Sequence, residues 1–120
     1  DIEAVDVVGV GRRIRHHQRF SPAGTNANFV QTQPDGSLVI RTYERGVEDE
    51  TLACGTGAVA AALVSAAKAG APSPVNLLTR SRETLTIHFV AEGDRFTEVH
   101  LEGDARVVYA GELWPDAWTY

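Results

Sequence analysis

Twelve consecutive residues, Ala58 to Ala69, constrain the fold of this chain more than any others. Seven are Ala and three are Val or Leu, which leaves only Ser65 and Lys68 polar. A helix of that composition is apolar nearly all round, so it has no face for water and is expected to be buried on most sides. Its small side chains let neighbouring backbone approach closely. A sheet curled around a central helix meets both conditions. The expected class is therefore α+β, with mainly antiparallel strands forming a barrel-like sheet around one buried helix, rather than a parallel βαβ array. The helix is expected to run from Cys54 to Ala69, stopped by Gly70, Pro72 and Pro74.

The remaining elements are read around it. Ile2 to Val7 is expected as a first strand, followed by a helix from about Val8 to Gln18 that Gly9 and Gly11 weaken by about 1 kcal/mol each relative to Ala. Phe20 to Thr25 is turn chemistry. Two strand-like runs, Asn28 to Gln33 and Leu38 to Tyr43, flank Pro34-Asp35-Gly36 and predict a hairpin. Glu44 to Ala53 is polar and aperiodic, hence a loop. After the long helix the pattern predicts four antiparallel strands: Val75 to Thr79, Leu85 to Ala91, Phe96 to Leu101 and Ala105 to Tyr109. Leu85-Thr86-Ile87-His88-Phe89 alternates at period two, the mark of a half-buried strand. With 120 residues and no internal repeat or linker, residues 1–120 are expected to form a single domain.

Charge and cysteine content exclude several classes of function. Sixteen acidic residues against eleven basic ones give a net charge of −5, which argues against a phosphate backbone as the main partner. The one tight basic cluster, Arg12, Arg13 and Arg15 with His16, His17 and Arg19, reads as a solvated helix face. Cys54 is the only cysteine, so no internal disulfide forms and nothing points to an oxidising compartment. The apolar helix is too short to span a bilayer. No charged and apolar leader pattern opens the chain, so a cytoplasmic protein with neither membrane nor nucleic-acid partner is expected.

Cys54-Gly55-Thr56-Gly57 sits where the polar loop becomes the apolar helix. A helix N-terminus leaves backbone N–H groups unpaired and carries partial positive charge. Amides around Gly55 and Thr56 could hold a carboxylate there, with the glycines allowing close approach. The same field favours the thiolate of Cys54 over the thiol, which would make it a base or nucleophile. Glu48, Asp49 and Glu50 oppose that effect, and an ordinary buried cysteine beside a Gly-rich turn accounts for the pattern equally well. Glu44 next to Arg45 could read the ammonium and carboxylate of an amino-acid-like ligand; alternatively they are a surface ion pair worth under about 1 kcal/mol. Asn26 and Asn28 are either turn and strand-entry residues or amide contacts to a ligand. His16, His17, His88 and His100 show no metal-ligand spacing with Cys54, so no metal is assigned, and His88 is expected to be a satisfied structural residue.

Taken in order, Thr25-Asn26-Ala27-Asn28-Phe29-Val30-Gln31, Arg41-Thr42-Tyr43-Glu44-Arg45-Gly46 and Glu50-Thr51-Leu52-Ala53-Cys54-Gly55-Thr56-Gly57-Ala58 resemble the second half of the diaminopimelate epimerase family. The likeness continues through Leu101-Glu102-Gly103 to Gly111. It implies a cofactor-independent isomerase, without pyridoxal, that interconverts LL- and meso-diaminopimelate for lysine and peptidoglycan biosynthesis. It also implies two similar halves with the ligand between them. By the same resemblance, Cys54 is the acid/base cysteine of this half, and Gly55 and Thr56 hold the carboxylate at the reacting carbon. Asn26, Glu44 and Arg45 then read the far end of the substrate.

The family's first half, with a second cysteine motif, has no counterpart in these residues. Together with a start at Asp1, this reads as a C-terminal half whose N-terminal domain is absent. One acid/base group stands where inversion at a carbon needs two, so the isolated chain is expected to be inactive or nearly so. Two alternatives stay open: an amino-acid-binding module without turnover, and a homodimer that pairs two copies of Cys54. A missing half would also leave apolar surface exposed and favour association. The tail residues Trp114 and Trp118 are expected to pack locally against the barrel.

Overall fold

The computed structural model describes residues 1–118. Its elements in chain order are α1 (Val7–Arg15), β1 (Ala27–Thr32), β2 (Leu38–Glu44), β3 (Asp49–Thr51), α2 (Gly55–Ala69), β4 (Val75–Leu78), β5 (Thr84–Glu92) and β6 (Arg95–Glu102), with short 3-10 turns at Ile2–Ala4, Gln18–Phe20 and Pro115–Trp118. The class is α+β. The sheet is mixed, in the order β1-β2-β4-β5-β6, and β3 pairs with β2 beside that path. Every pairing is antiparallel except β2 with β4, where Leu38 lies opposite Leu77 and Val39 opposite Leu78. That parallel pair is the local βαβ-like crossover the composition argued against: the chain leaves β2, passes through β3 and α2, and returns beside β2.

Strand β2 organises the molecule because it is buried on both faces. Leu38 and Ile40 point to the α2 side, where they join Ala58, Ala61, Ala62, Val75, Leu77, Ile87 and Phe89 in the main core. Tyr43, one residue out of phase, points to the other side and packs with Val7 and Ala27 under α1. Two helices therefore cover opposite faces of one sheet. Arg41 shares the Tyr43 face and is 8% exposed. Its guanidinium donates to the carbonyls of Ile2 and Val5 at 2.9 and 3.2 Å and grips Glu50 with two bonds of 2.7 and 2.8 Å. The N-terminal segment is thereby pinned to the sheet.

Several expectations fail for identifiable reasons. Ile2 to Val7 is not a strand. The Asp6 side chain accepts from the Gly9 amide at 2.9 Å and caps α1, a signal that outweighs the apolar run. The glycines that lower the propensity of α1 are close-approach sites: a Cβ on Gly11 would lie 2.4 Å from the Tyr43 Cβ. Within the expected loop after Glu44, residues 49–51 form β3. Residues 105–109 carry no regular structure and are exposed, Val107 by 93% and Tyr109 by 85%.

The sheet does not close. It curves along α2, which touches β1, β2, β4, β5 and β6, but β1 and β6 end it as separate edges, so the barrel-like closure is not observed among the described residues. Nor is α2 buried on most sides. Gly57, Ala58, Ala61 and Ala62 are buried, whereas Thr56, Ala60, Val64 and Ala67 form an exposed strip at the spacing of one helix face. Trp114 is 70% exposed rather than packed, and the side chain of Trp118 lies outside the described residues. His88 is half-exposed and pairs with Glu102 at 2.8 Å across β5 and β6, a surface partner rather than an apolar setting. No described helix is long and apolar enough to cross a membrane.

Candidate active site

The register of the first hairpin builds one side of the site. Ala27 pairs with Tyr43, so Asn26, just before β1, and Glu44 and Arg45, at the end of β2, meet at one end of the sheet. The Arg45 amide donates to Asn26 Oδ1 at 2.8 Å, and the Arg45 guanidinium donates to the Ala23 carbonyl at 3.2 Å. The Asn26 amide nitrogen points the opposite way, 3.8 Å from Cys54 Sγ. One asparagine thus ties the Glu44–Arg45 corner to the cysteine.

The other side is the start of α2. Cys54 is its N-cap, in extended conformation, and makes no side-chain capping bond. The first bond of the helix runs from the Ala58 amide to the Cys54 carbonyl at 2.9 Å, so the Gly55, Thr56 and Gly57 amides precede any partner the helix itself supplies. Cys54 Sγ lies 3.6 Å from Thr56 Oγ1, and the residue is 9% exposed. Behind it the packing is tight. A Cβ on Gly57 would stand 2.5 Å from Asn28 Oδ1 and 3.2 Å from Cys54 Sγ. Asn28 accepts from the Thr42 hydroxyl at 2.9 Å; its side chain reaches the helix start from an exposed position on β1, and it is not among the residues that line the cleft described below.

Between the two sides lies a cleft of about 440 Å³, lined by Gly24, Thr25, Asn26, Glu44, Arg45 and Thr56. Four of the six residues singled out from the sequence line it: Asn26, Glu44, Arg45 and Thr56. Cys54 touches two of these, Asn26 and Thr56. Gly55 opens α2 beside the Leu101 side chain. The arrangement offers an acceptor carboxylate, a guanidinium, an amide and a helix N-terminus around one space, a donor set that matches a zwitterionic ligand with more than one charged end.

Of the three acidic residues expected to oppose a thiolate, Glu48 and Glu50 are already paired. Arg41 holds the Glu50 carboxyl below the ordinary carboxylate range. The Gly46 amide does the same for Glu48, with further help from Arg15. Arg15, read from the sequence as part of a solvated basic face, instead turns inward to Glu48 at 2.9 Å with only 17% of its side chain exposed. Glu48 and Arg15 are the residues near the site that the sequence reading did not select. The N–C spacing of 33 residues between them carries no local signal.

The diaminopimelate epimerase family model matches residues 1–113. The chain is 50% identical over its whole length to a diaminopimelate epimerase of Aquifex aeolicus, covering 42% of that protein. It is 46% identical over 94% of its length to one from Chlorobaculum tepidum, covering 43% of it. A third, from a Hydrogenobaculum species, is 47% identical over 94% of the chain, which covers 39% of that relative. The chain thus spans about two-fifths of the length of these relatives. On this match of family model and relatives, the chain belongs to the diaminopimelate epimerase family.

Proposed function

We propose that this chain is the second half of a cofactor-independent epimerase that interconverts LL- and meso-diaminopimelate, and that residues 1–120 form one domain of it. The observation that carries the reading is the convergence of Cys54, the α2 N-terminus and the Asn26–Glu44–Arg45 corner on one open cleft. In this reading the ligand's reacting carboxylate meets the Gly55 and Thr56 amides, and its far ammonium and carboxylate meet Glu44 and Arg45.

Cys54 then faces the α-carbon. As thiolate it takes the α-proton from one side, while an acid on the opposite side delivers a proton to the same carbon and inverts it. In the reverse direction Cys54, as thiol, is the donor. The charge left on the substrate is stabilised by the fixed dipoles of the helix start, which cost no reorganisation during the reaction. The opposing acid comes from a first half that packs over the cleft, excludes water and completes the barrel-like enclosure of α2.

The test is α-proton exchange in deuterated water, followed by NMR with meso- and LL-diaminopimelate. The chain alone should exchange nothing measurable. Mixed with the first half of the Aquifex aeolicus relative, produced as a separate chain, it should exchange, and Cys54→Ser should abolish that exchange. Exchange by the monomeric chain alone, or exchange in the mixture that survives Cys54→Ser, would sink the reading.

A further inference from the structure

We propose that Glu48 is a positioning residue for Arg45: its carboxylate, locked to α1, closes the turn from Glu44 to Glu48 from inside and so sets the direction in which Arg45 enters the cleft. The proposal rests on the diaminopimelate reading for its ligand and on geometry for the rest. The turn is bonded along its backbone from the Glu48 amide to the Glu44 carbonyl at 2.8 Å. It needs two left-handed residues, Gly46 at φ 95° and Glu48 at φ 62°. Glycine adopts that region freely, but a glutamate does so only when its surroundings compensate.

The compensation is a set of three donors, with a histidine ring nitrogen close by. Glu48 Oε1 accepts from the Gly46 amide at 3.0 Å and from Arg15 Nε at 2.9 Å. Its Oε2 accepts from the Tyr43 hydroxyl at 3.3 Å and lies 3.5 Å from His16 Nε2. Arg15 and His16 belong to the last turn of α1 and its cap, and Tyr43 to the buried face of β2. The turn is therefore fastened to both elements that flank it. Arg45 lies between the two fastened points, its amide on Asn26 and its guanidinium on Ala23. Without the Glu48 carboxylate, Gly46 loses its acceptor and the reason for the left-handed Glu48 backbone disappears. The Arg45 side chain is then free to leave the cleft wall.

Two measurements test this. In the chain as it stands, hydrogen exchange at the Arg45 and Gly46 amides should quicken by about ten-fold in Glu48→Ala, as expected for one lost charge-assisted bond, while the α2 amides from Ala58 onward stay unchanged. Unchanged exchange at Arg45 and Gly46 overturns the clamp. In the mixture of the two halves, kcat/KM for meso-diaminopimelate is measured for Glu48→Ala, Arg45→Ala and the double variant. If Glu48 acts through Arg45, Glu48→Ala lowers kcat/KM in the native background and changes nothing once Arg45 is gone. Additive losses would mean a general structural effect and would overturn the proposal. A mixture that never turns over defeats the diaminopimelate reading, and the exchange experiment still judges the clamp. Should Glu48→Ala fold poorly, Glu48→Met removes the same acceptor while keeping the length of the side chain, and gives the same two readouts.

Discussion

Gly57 shows how little room the site leaves at the scale of one residue. It is the third residue of α2, where alanine would improve helix propensity by about 1 kcal/mol. Yet its Cβ would overlap Asn28 Oδ1 at 2.5 Å and press on Cys54 Sγ at 3.2 Å. The clash is expected to exceed the propensity gain, for a net loss of about 1–2 kcal/mol, read from the urea midpoint. Because the displaced atoms belong to the cysteine's own wall, the rate at which Cys54 reacts with a disulfide reagent should change as well. A stabilised Gly57→Ala with unaltered thiol reactivity would show that the contact relaxes freely. The Cys-Gly-Thr-Gly run was visible in the sequence as the place where a polar loop becomes an apolar helix. That Gly57 is small because of Asn28, 29 positions earlier, was not, since the contact exists only once β1 lies beneath α2.

Elements are held in register by a small number of buried polar bonds, and the Arg41–Glu50 pair is the foremost. It joins β2 to β3 and, through the carbonyls of Ile2 and Val5, fastens the N-terminal segment. Side-chain exposure is 10% for Arg41 and 16% for Glu50, so removing one partner strands a charge in a poorly solvated place. Glu50→Ala is expected to cost about 3 kcal/mol, whereas Arg41→Met together with Glu50→Leu should recover a good part of that loss. Urea unfolding of the three variants checks both statements. A single variant that loses under about 1 kcal/mol would place the pair among ordinary surface ion pairs. The hairpin β1–β2 was legible from its Pro-Asp-Gly turn, and α2 from its composition. Strand β3 was not, because three residues of Asp-Glu-Thr have no pattern of their own and become a strand only through β2.

At the scale of the whole molecule, stability should fall on the acid side. Glu50 is held below the ordinary carboxylate range first by its bonds from Arg41, and Glu48 first by the Gly46 amide. Asp35, in the hairpin turn, is lowered by Ser37. Each of these carboxyls binds its proton less readily in the folded chain than in the unfolded one. Their contribution is thus complete above the ordinary carboxylate range and is lost as the pH falls through the depressed values. The urea midpoint should be flat near neutrality and decline below about pH 5. Glu50→Gln should make that decline shallower, because the most enclosed of the three groups no longer titrates. An unaltered acid limb in Glu50→Gln would assign the loss to other groups. The same scale explains why the predicted barrel is open: α2 keeps an exposed strip of Thr56, Ala60, Val64 and Ala67, and residues 105–109 add no strand to the sheet.

Local chemistry was enough to specify the long alanine-rich helix, with its cysteine at the start, and the first hairpin, whereas the residues of the candidate site were singled out by resemblance to the family. The helix and the hairpin depend on periodicity, capping or turn preference within a few residues. Which of these residues meet was settled by tertiary contacts. The pairing of Ala27 with Tyr43 brings Asn26 to Arg45, the return of the chain beside β2 makes the sheet mixed, and α1 carries Arg15 to Glu48 across 33 positions. Such contacts leave no trace in a short window of sequence, because their energy comes from burying surfaces and pairing groups that are neighbours only after the chain has folded.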